Sequence, residues 1–184
     1  MLRRNNIELK SWWEVNVLES GTTAEREKQS EEIQLVVFRL GAEEYGVPIT
    51  QVQEIIRLAT PTRIPNVPDF LEGVINLRGN VLPVIDLKKR FGLGSSEYTD
   101  DARIVVVEIA GHTVGVIVDF VSEVLRLPMS SIEPPPPIIA GITAEYLRGV
   151  GKLDDRLLIL LDLNKILTEI EKAQLEEVVE TISG

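Results

Sequence analysis

Apolar and polar positions along the chain fall into short blocks. Residues 35–40 and 104–109 are β-branched runs closed by Gly41 and Gly111, a pattern that predicts strands. Blocks at 45–49 and 113–118 follow after tight turns, so each run opens a hairpin. Next, Ile49, Val52, Gln53 and Ile56 step by three or four, as do Val118, Val121, Ser122 and Leu125. That spacing predicts one or two helical turns, with a third strand near 57–59 and 126–127. Further hairpins are expected at 74–85, around Arg78-Gly79-Asn80, and at 150–161, around Asp154-Asp155. Asp86 and Asp162 stand where N-caps belong, before helical segments at 87–91 and 163–167.

The two ends differ. Leu163, Ile166, Leu167 and Ile170, then Leu175, Val178, Val179 and Ile182, predict a C-terminal amphipathic helix or a broken pair over 163–184. Residues 19–32 offer almost nothing to bury, so 1–32 reads as a mobile tail carrying Trp12-Trp13.

An internal repeat organises the middle. Residues 46–58 and 115–127 agree at six of 13 positions with an offset of 69, including Glu54/Glu123 and Arg57/Arg126. Residues 73–89 and 149–165 agree at seven of 17 with an offset of 76. One unit is used twice, and about five short strands per unit is the signature of a small barrel. The expected organisation is mainly β: two barrels at about 33–92 and 102–162, intertwined within 33–167, plus short helices.

Composition narrows the chemistry. The chain has 184 residues, no Cys and one His, which excludes disulfides, thiolate sites and His-His metal pairs. A net charge of −10 argues against a phosphate backbone as main partner. Residues 168–184 carry one basic and five acidic groups, so the body is far less acidic than the total suggests. No stretch approaches the roughly 20 apolar residues of a membrane span, and no signal-peptide apolar stretch is present, so a cytoplasmic protein is expected. Phosphate-loop, nucleophile-elbow and zinc-helix motifs are missing. Asp100-Asp101 and Asp154-Asp155 read as solvated turn residues far more readily than as catalytic pairs. The expectation is a binding protein with no catalytic residue, metal or cofactor.

Arg78 stands at a hairpin tip, and its repeat mate is Asp154. That charge reversal marks a place where the copies do different work. Glu54 recurs as Glu123, either as a solvated face or as the ion-pair partner of Arg78. Spacing alone leaves these two readings even.

Several blocks together carry a family resemblance. Residues 38–47, 52–55, 70–79 (ending Asn76-Leu77-Arg78-Gly79), 82–87 (Leu82-Pro83-Val84-Ile85-Asp86-Leu87), 145–150 and 157–163 resemble, in order, the CheW-type chemotaxis coupling proteins. The resemblance implies two intertwined five-stranded SH3-like barrels and a non-catalytic adaptor joining chemoreceptor tips to a histidine kinase. It implies that a receptor's coiled-coil hairpin lies in a groove between the barrels. Glu54 and Arg78 would be the charged pair beside that groove, and Val52, Ile55, Val121 and Val124 its apolar wall. The kinase's regulatory domain would dock near Val47, Pro48, Ile49, Ile64 and Val67. The adaptor would be recruited to membrane-associated receptor arrays. A generic small-barrel module binding protein or nucleic acid is the alternative, disfavoured by the charge and by 5% aromatic content.

Overall fold

The structure is a computed structural model that describes residues 31–94, 97–136, 138–139 and 142–183. The expected tail and Trp12-Trp13 lie outside the described residues. The strands are β1 (Glu32–Leu40), β2 (Glu43–Pro48), β3 (Val52–Arg57), β4 (Leu71–Leu77), β5 (Asn80–Asp86), β6 (Arg103–Ile109), β7 (His112–Val118) and β8 (Phe120–Pro128). They continue with β9 (Ile132–Glu133), β10 (Ile138–Ile139), β11 (Ile142–Thr143), β12 (Leu147–Lys152) and β13 (Leu157–Leu161). Helix α1 spans Leu87–Arg90 and α2 spans Glu169–Ser183.

The two copies exchange their first hairpins. One sheet runs β8-β1-β2-β13-β12-β9, a second β3-β6-β7-β5-β4, and β10 pairs with β11 apart from both. Hairpin β1–β2 of the first copy thus joins the later strands of the second, and β6–β7 joins β3–β5. The intervals 33–92 and 102–162 delimit the copies of the repeat, while each sheet draws on both. Parallel pairings of β13 with β2 and of β5 with β7 stitch the exchange together.

Alternation along the strands then builds three cores. Leu35, Val37, Leu158 and Leu160 face the inside of the β1 barrel. Ile104, Val106, Leu82 and Val84 face the inside of the β3 barrel. Their neighbours Val36, Phe38, Val105, Val107, Ile159 and Leu161 meet in a larger core between the barrels. Because both faces of these strands are covered, they read as continuous apolar runs. Lys88 adds a polar tie, its Nζ 2.8 Å from Asp119, whose carboxylate also accepts the Gly41 amide.

One expectation needs correcting. Residues 49–56 and 118–125 do not form helices: a 3-10 turn covers only Ile49–Gln51, and β3 and β8 follow as strands. The third strand therefore begins well before residue 57. What mimics helical spacing is a β-bulge. Val52 pairs with Val107 and Glu54 with Val106, so Gln53 is an extra residue. Val121 pairs with Phe38 and Glu123 with Val37, so Ser122 is its counterpart. An inserted residue shifts the alternation, so Val52 packs toward the core between the barrels while Ile56, four positions on, packs toward the inside of the β3 barrel.

The helical ends follow the capping rules. Asp86 accepts from the amides of Lys88 and Lys89 at the start of α1. Asp162 caps a 3-10 turn, Leu163–Lys165, and α2 begins after it, so the C-terminal segment is a broken pair. Thr168 and Glu171 cap α2 reciprocally, and Arg90 grips Glu171 with two bonds of 2.7 and 2.6 Å. Burial would raise the Glu171 carboxyl, but bonds from Thr168 and Arg90 hold it below its usual range.

Candidate functional site

The bulges place the charged residues. Val52 packs against the core between the barrels, whereas Ile56 and Leu58 pack against the inside of the β3 barrel. The change of face occurs at Gln53, so Glu54 emerges at the open end of that barrel, its mouth. There Arg78 Nη1 donates to Glu54 Oε2 at 2.7 Å. Arg78 occupies a two-residue turn with φ 52, followed by Gly79 at φ 86, and the Asn76 side chain accepts the Gly79 amide at 2.8 Å. Such turns favour Asn or Gly at the first position, so an Arg is held there at a conformational cost. Its side chain is 74% exposed. Beneath the pair lies a cavity of about 280 Å³, floored by Leu77, Leu82 and Val106 and rimmed by Glu54, Asn80 and Thr113. The other carboxylate oxygen, Glu54 Oε1, is buried without a hydrogen-bond partner.

The β1 barrel carries the related arrangement. Glu123 emerges after the Ser122 bulge and accepts from Arg156 Nη2 at 2.5 Å. Arg156 Nη1 reaches Glu44 at 3.3 Å, so one guanidinium is clamped between two carboxylates. The hydrogen bond to Glu123, then the charge of Glu44, raises the Arg156 pKa further. Repeat alignment shows what differs: Arg156 corresponds to Asn80, and Glu44 to Thr113. The two residues that close the β1 mouth are a short amide and a short hydroxyl at the β3 mouth. Arginine reappears there two positions earlier, in the turn itself.

The other anticipated positions separate by exposure. Ile55 is 40% and Val124 54% exposed; they are repeat mates on β3 and β8, the edge strands of their sheets. Val52 and Val121 are half-buried against the core between the barrels. Of the anticipated kinase surface, Ile49, Ile64 and Val67 are partly exposed. Val47 is 1% exposed and Pro48 is buried, because both faces of β2 are covered, so neither offers a docking surface. Sequence reasoning passed over Arg156, Glu44 and Thr113. The signal was an Arg at the tip of each hairpin, hidden by a two-residue displacement. Among the described residues no cluster of His, Asp or Glu is placed to hold a metal, and no helix is long and apolar enough to cross a membrane.

A family model of the CheW-like domain matches residues 34–171. The chain belongs to the CheW-like family. The chemotaxis protein CheW of Klebsiella aerogenes is 41% identical over 145 residues, covering 79% of this chain and 87% of the relative. That of Treponema pallidum is 36% identical over 149 residues, covering 79% and 88%. The scaffolding protein TtCheW of Thermoanaerobacter tengcongensis is similar in structure, with a TM-score of 0.71, 43% identity and coverage of 77% of this chain and 96% of that one. The CheW-like fold is mainly β, with two SH3-like barrels, and the family is one of chemotaxis scaffolds rather than nucleic-acid binders.

Proposed function

We propose that this chemotaxis adaptor, which couples receptors and kinase, recognises a receptor's coiled-coil tip through the Glu54–Arg78 pair and the apolar positions beside it. Ile55 and Val124 supply exposed apolar contacts, and Val52 and Val121 back them from below. The kinase's regulatory domain docks elsewhere, near Ile49, Ile64 and Val67, so both partners are held at once. The protein contributes shape and placed charge, without catalysis or cofactor, and its partners carry it to receptor arrays at the membrane.

The observation that supports this reading most is Arg78. A positive-φ position is occupied by an Arg whose one local partner is Glu54, and whose side chain is otherwise left largely in solvent. Strain kept in that form fits a contact made with another molecule.

The test is a pull-down of the purified protein with a chemoreceptor-tip fragment and a kinase regulatory domain. Recovery of all three together is expected. Recovery of neither binary pair would overturn the adaptor reading for these partners.

A further inference from the structure

The two mouths are built from the same repeat, yet one is closed by a clamp and the other opens onto a cavity. We infer that the β3 mouth is a receiving pocket for an apolar side chain of the partner helix, with an Asn or Gln carboxamide on the same helix face donating to Glu54 Oε1. This rests on the receptor reading above and names what that surface accepts.

Three observations converge on that occupant. The floor of Leu77, Leu82 and Val106 is apolar, and about 280 Å³ accommodates one large side chain. Glu54 lines the cavity and has one oxygen, Oε2, bonded to Arg78, while Oε1 is buried without a partner. A buried acceptor left unmade is costly, and an incoming N–H removes that cost only in the complex. The donor is neutral because the Arg78 guanidinium, 2.7 Å from the same carboxylate, disfavours a second cation. Side chains three or four apart on a helix lie on one face, so a single partner helix presents both the apolar group and the amide.

The β1 mouth shows how such a pocket is closed. Arg156 lies between Glu44 and Glu123, at the positions of Asn80 and Thr113 in the other copy. Grafting that clamp therefore provides a direct test: Asn80→Arg together with Thr113→Glu fills the β3 mouth with a pair the repeat already tolerates. Arg78 and Glu54 stay in place.

Binding of a receptor-tip fragment is measured by calorimetry for the wild-type protein, the double graft and Glu180→Gln. The graft is expected to weaken binding by roughly tenfold or more, the loss of one buried hydrogen bond and its apolar seat. Glu180→Gln, an exposed position on α2 that does not line the mouth, stays within about twofold. A folded graft that binds as wild type overturns the pocket while leaving the receptor reading intact. A wild-type protein that does not bind the fragment overturns both. Should the graft fail to fold, methyl NMR of the wild-type protein decides: fragment-induced shifts at Leu77, Leu82 and Val106 support the pocket, and their absence overturns it.

Discussion

The two barrel mouths of this adaptor began as one design, and on the proposed function their divergence separates a stabilising device from a binding one. At the β1 mouth Arg156 is satisfied within the molecule by Glu123 and Glu44, and it is 39% exposed. At the β3 mouth Arg78 has a single carboxylate and is 74% exposed. An internal partner consumes an arginine's donors, whereas a one-sided pair in a strained turn leaves donors for another protein. The repeat thus holds its own control: whatever the Arg–Glu pair contributes to folding should be visible at Arg156, and whatever it contributes to recognition at Arg78.

The largest effect should come from reversing each arginine in turn. Arg78→Glu is expected to weaken receptor-tip binding by about tenfold or more, the scale at which a central charged anchor acts. Arg156→Glu is expected to leave receptor binding within about twofold while lowering the melting temperature, since three carboxylates would then crowd the β1 mouth. Calorimetric titration and thermal unfolding, run on both variants, check the pair. Equal losses of binding would erase the distinction between the mouths.

Packing inside the barrels offers the next contrast. A Cβ on Gly115 would stand 2.7 Å from Ile104 Cγ2, a branch that cannot swing away. On the mate Gly46 the nearest atoms are Leu160 Cδ2 at 3.3 Å and Leu158 Cδ2 at 3.4 Å, the ends of flexible side chains. Gly115→Ala is therefore expected to cost about 1–3 kcal/mol through overpacking. Gly46→Ala should fall within about 1 kcal/mol of wild type, because the reduced freedom of the unfolded chain offsets the squeeze. Urea unfolding of the two variants would show whether the β3 barrel is indeed the tighter of the two inside.

Much of this was legible in the sequence, and the failures share one cause. The repeat, the hairpins, the capping aspartates and the broken C-terminal helix all follow from local patterns. The bulges do not, because one inserted residue breaks the two-residue period and turns the strand from one face to the other. Residues 49–56 and 118–125 consequently resemble helix, although Val52 and Ile56 sit on a strand that changes face between them. Val47 and Pro48 were anticipated on a surface because nothing in their neighbourhood says that β2 is covered on both sides. Val47 packs into the core between the barrels, where the exchanged β1–β2 hairpin sits beside β13, a long-range feature. Glu54 and Arg78 were flagged by the charge reversal against Asp154, but whether they met was undecided. Only the fold shows that Asn80 and Thr113 mark where Arg156 and Glu44 close the opposite mouth.

Acid should act on the β3 side, where α2 is anchored through Arg90 of α1 and Leu175 is buried in the core between the barrels. The Glu171 carboxyl is held below its unfolded value of 4.5 by Thr168 and Arg90, against the opposing effect of burial. Its contribution is complete above 4.5 and is lost as pH falls through the lower folded value. Asp86 has the opposite sign: burial raises its pKa against the lowering by the Lys89 and Lys88 amides. Its titration therefore favours the folded state most at low pH, a contribution lost as pH rises through the raised value. Amide exchange measured down an acid series should therefore show α2 losing protection while β1 and β2 retain theirs. Arg90→Ala should reproduce the loss at neutral pH. Simultaneous loss of protection in both regions would mean that α2 is no separate anchor.

The smallest effect is the most discriminating. A double-mutant cycle on folding stability with Arg78→Ala and Glu54→Ala should return a coupling of only about 0.2–1 kcal/mol, because the pair is one-sided and its guanidinium is mostly solvated. The same cycle with Arg156→Ala and Glu123→Ala should return a larger coupling, since Arg156 also engages Glu44 and the three charges act as a network. Repeating the Arg78–Glu54 cycle on receptor affinity reverses the order. A pair that barely couples in folding should couple strongly in binding, where its solvent is displaced and Glu54 Oε1 gains a donor. If that pair couples as strongly in folding as Arg156–Glu123 and adds nothing in binding, both mouths are structural clamps, and the residual charge at Arg78 is a by-product of a displaced arginine.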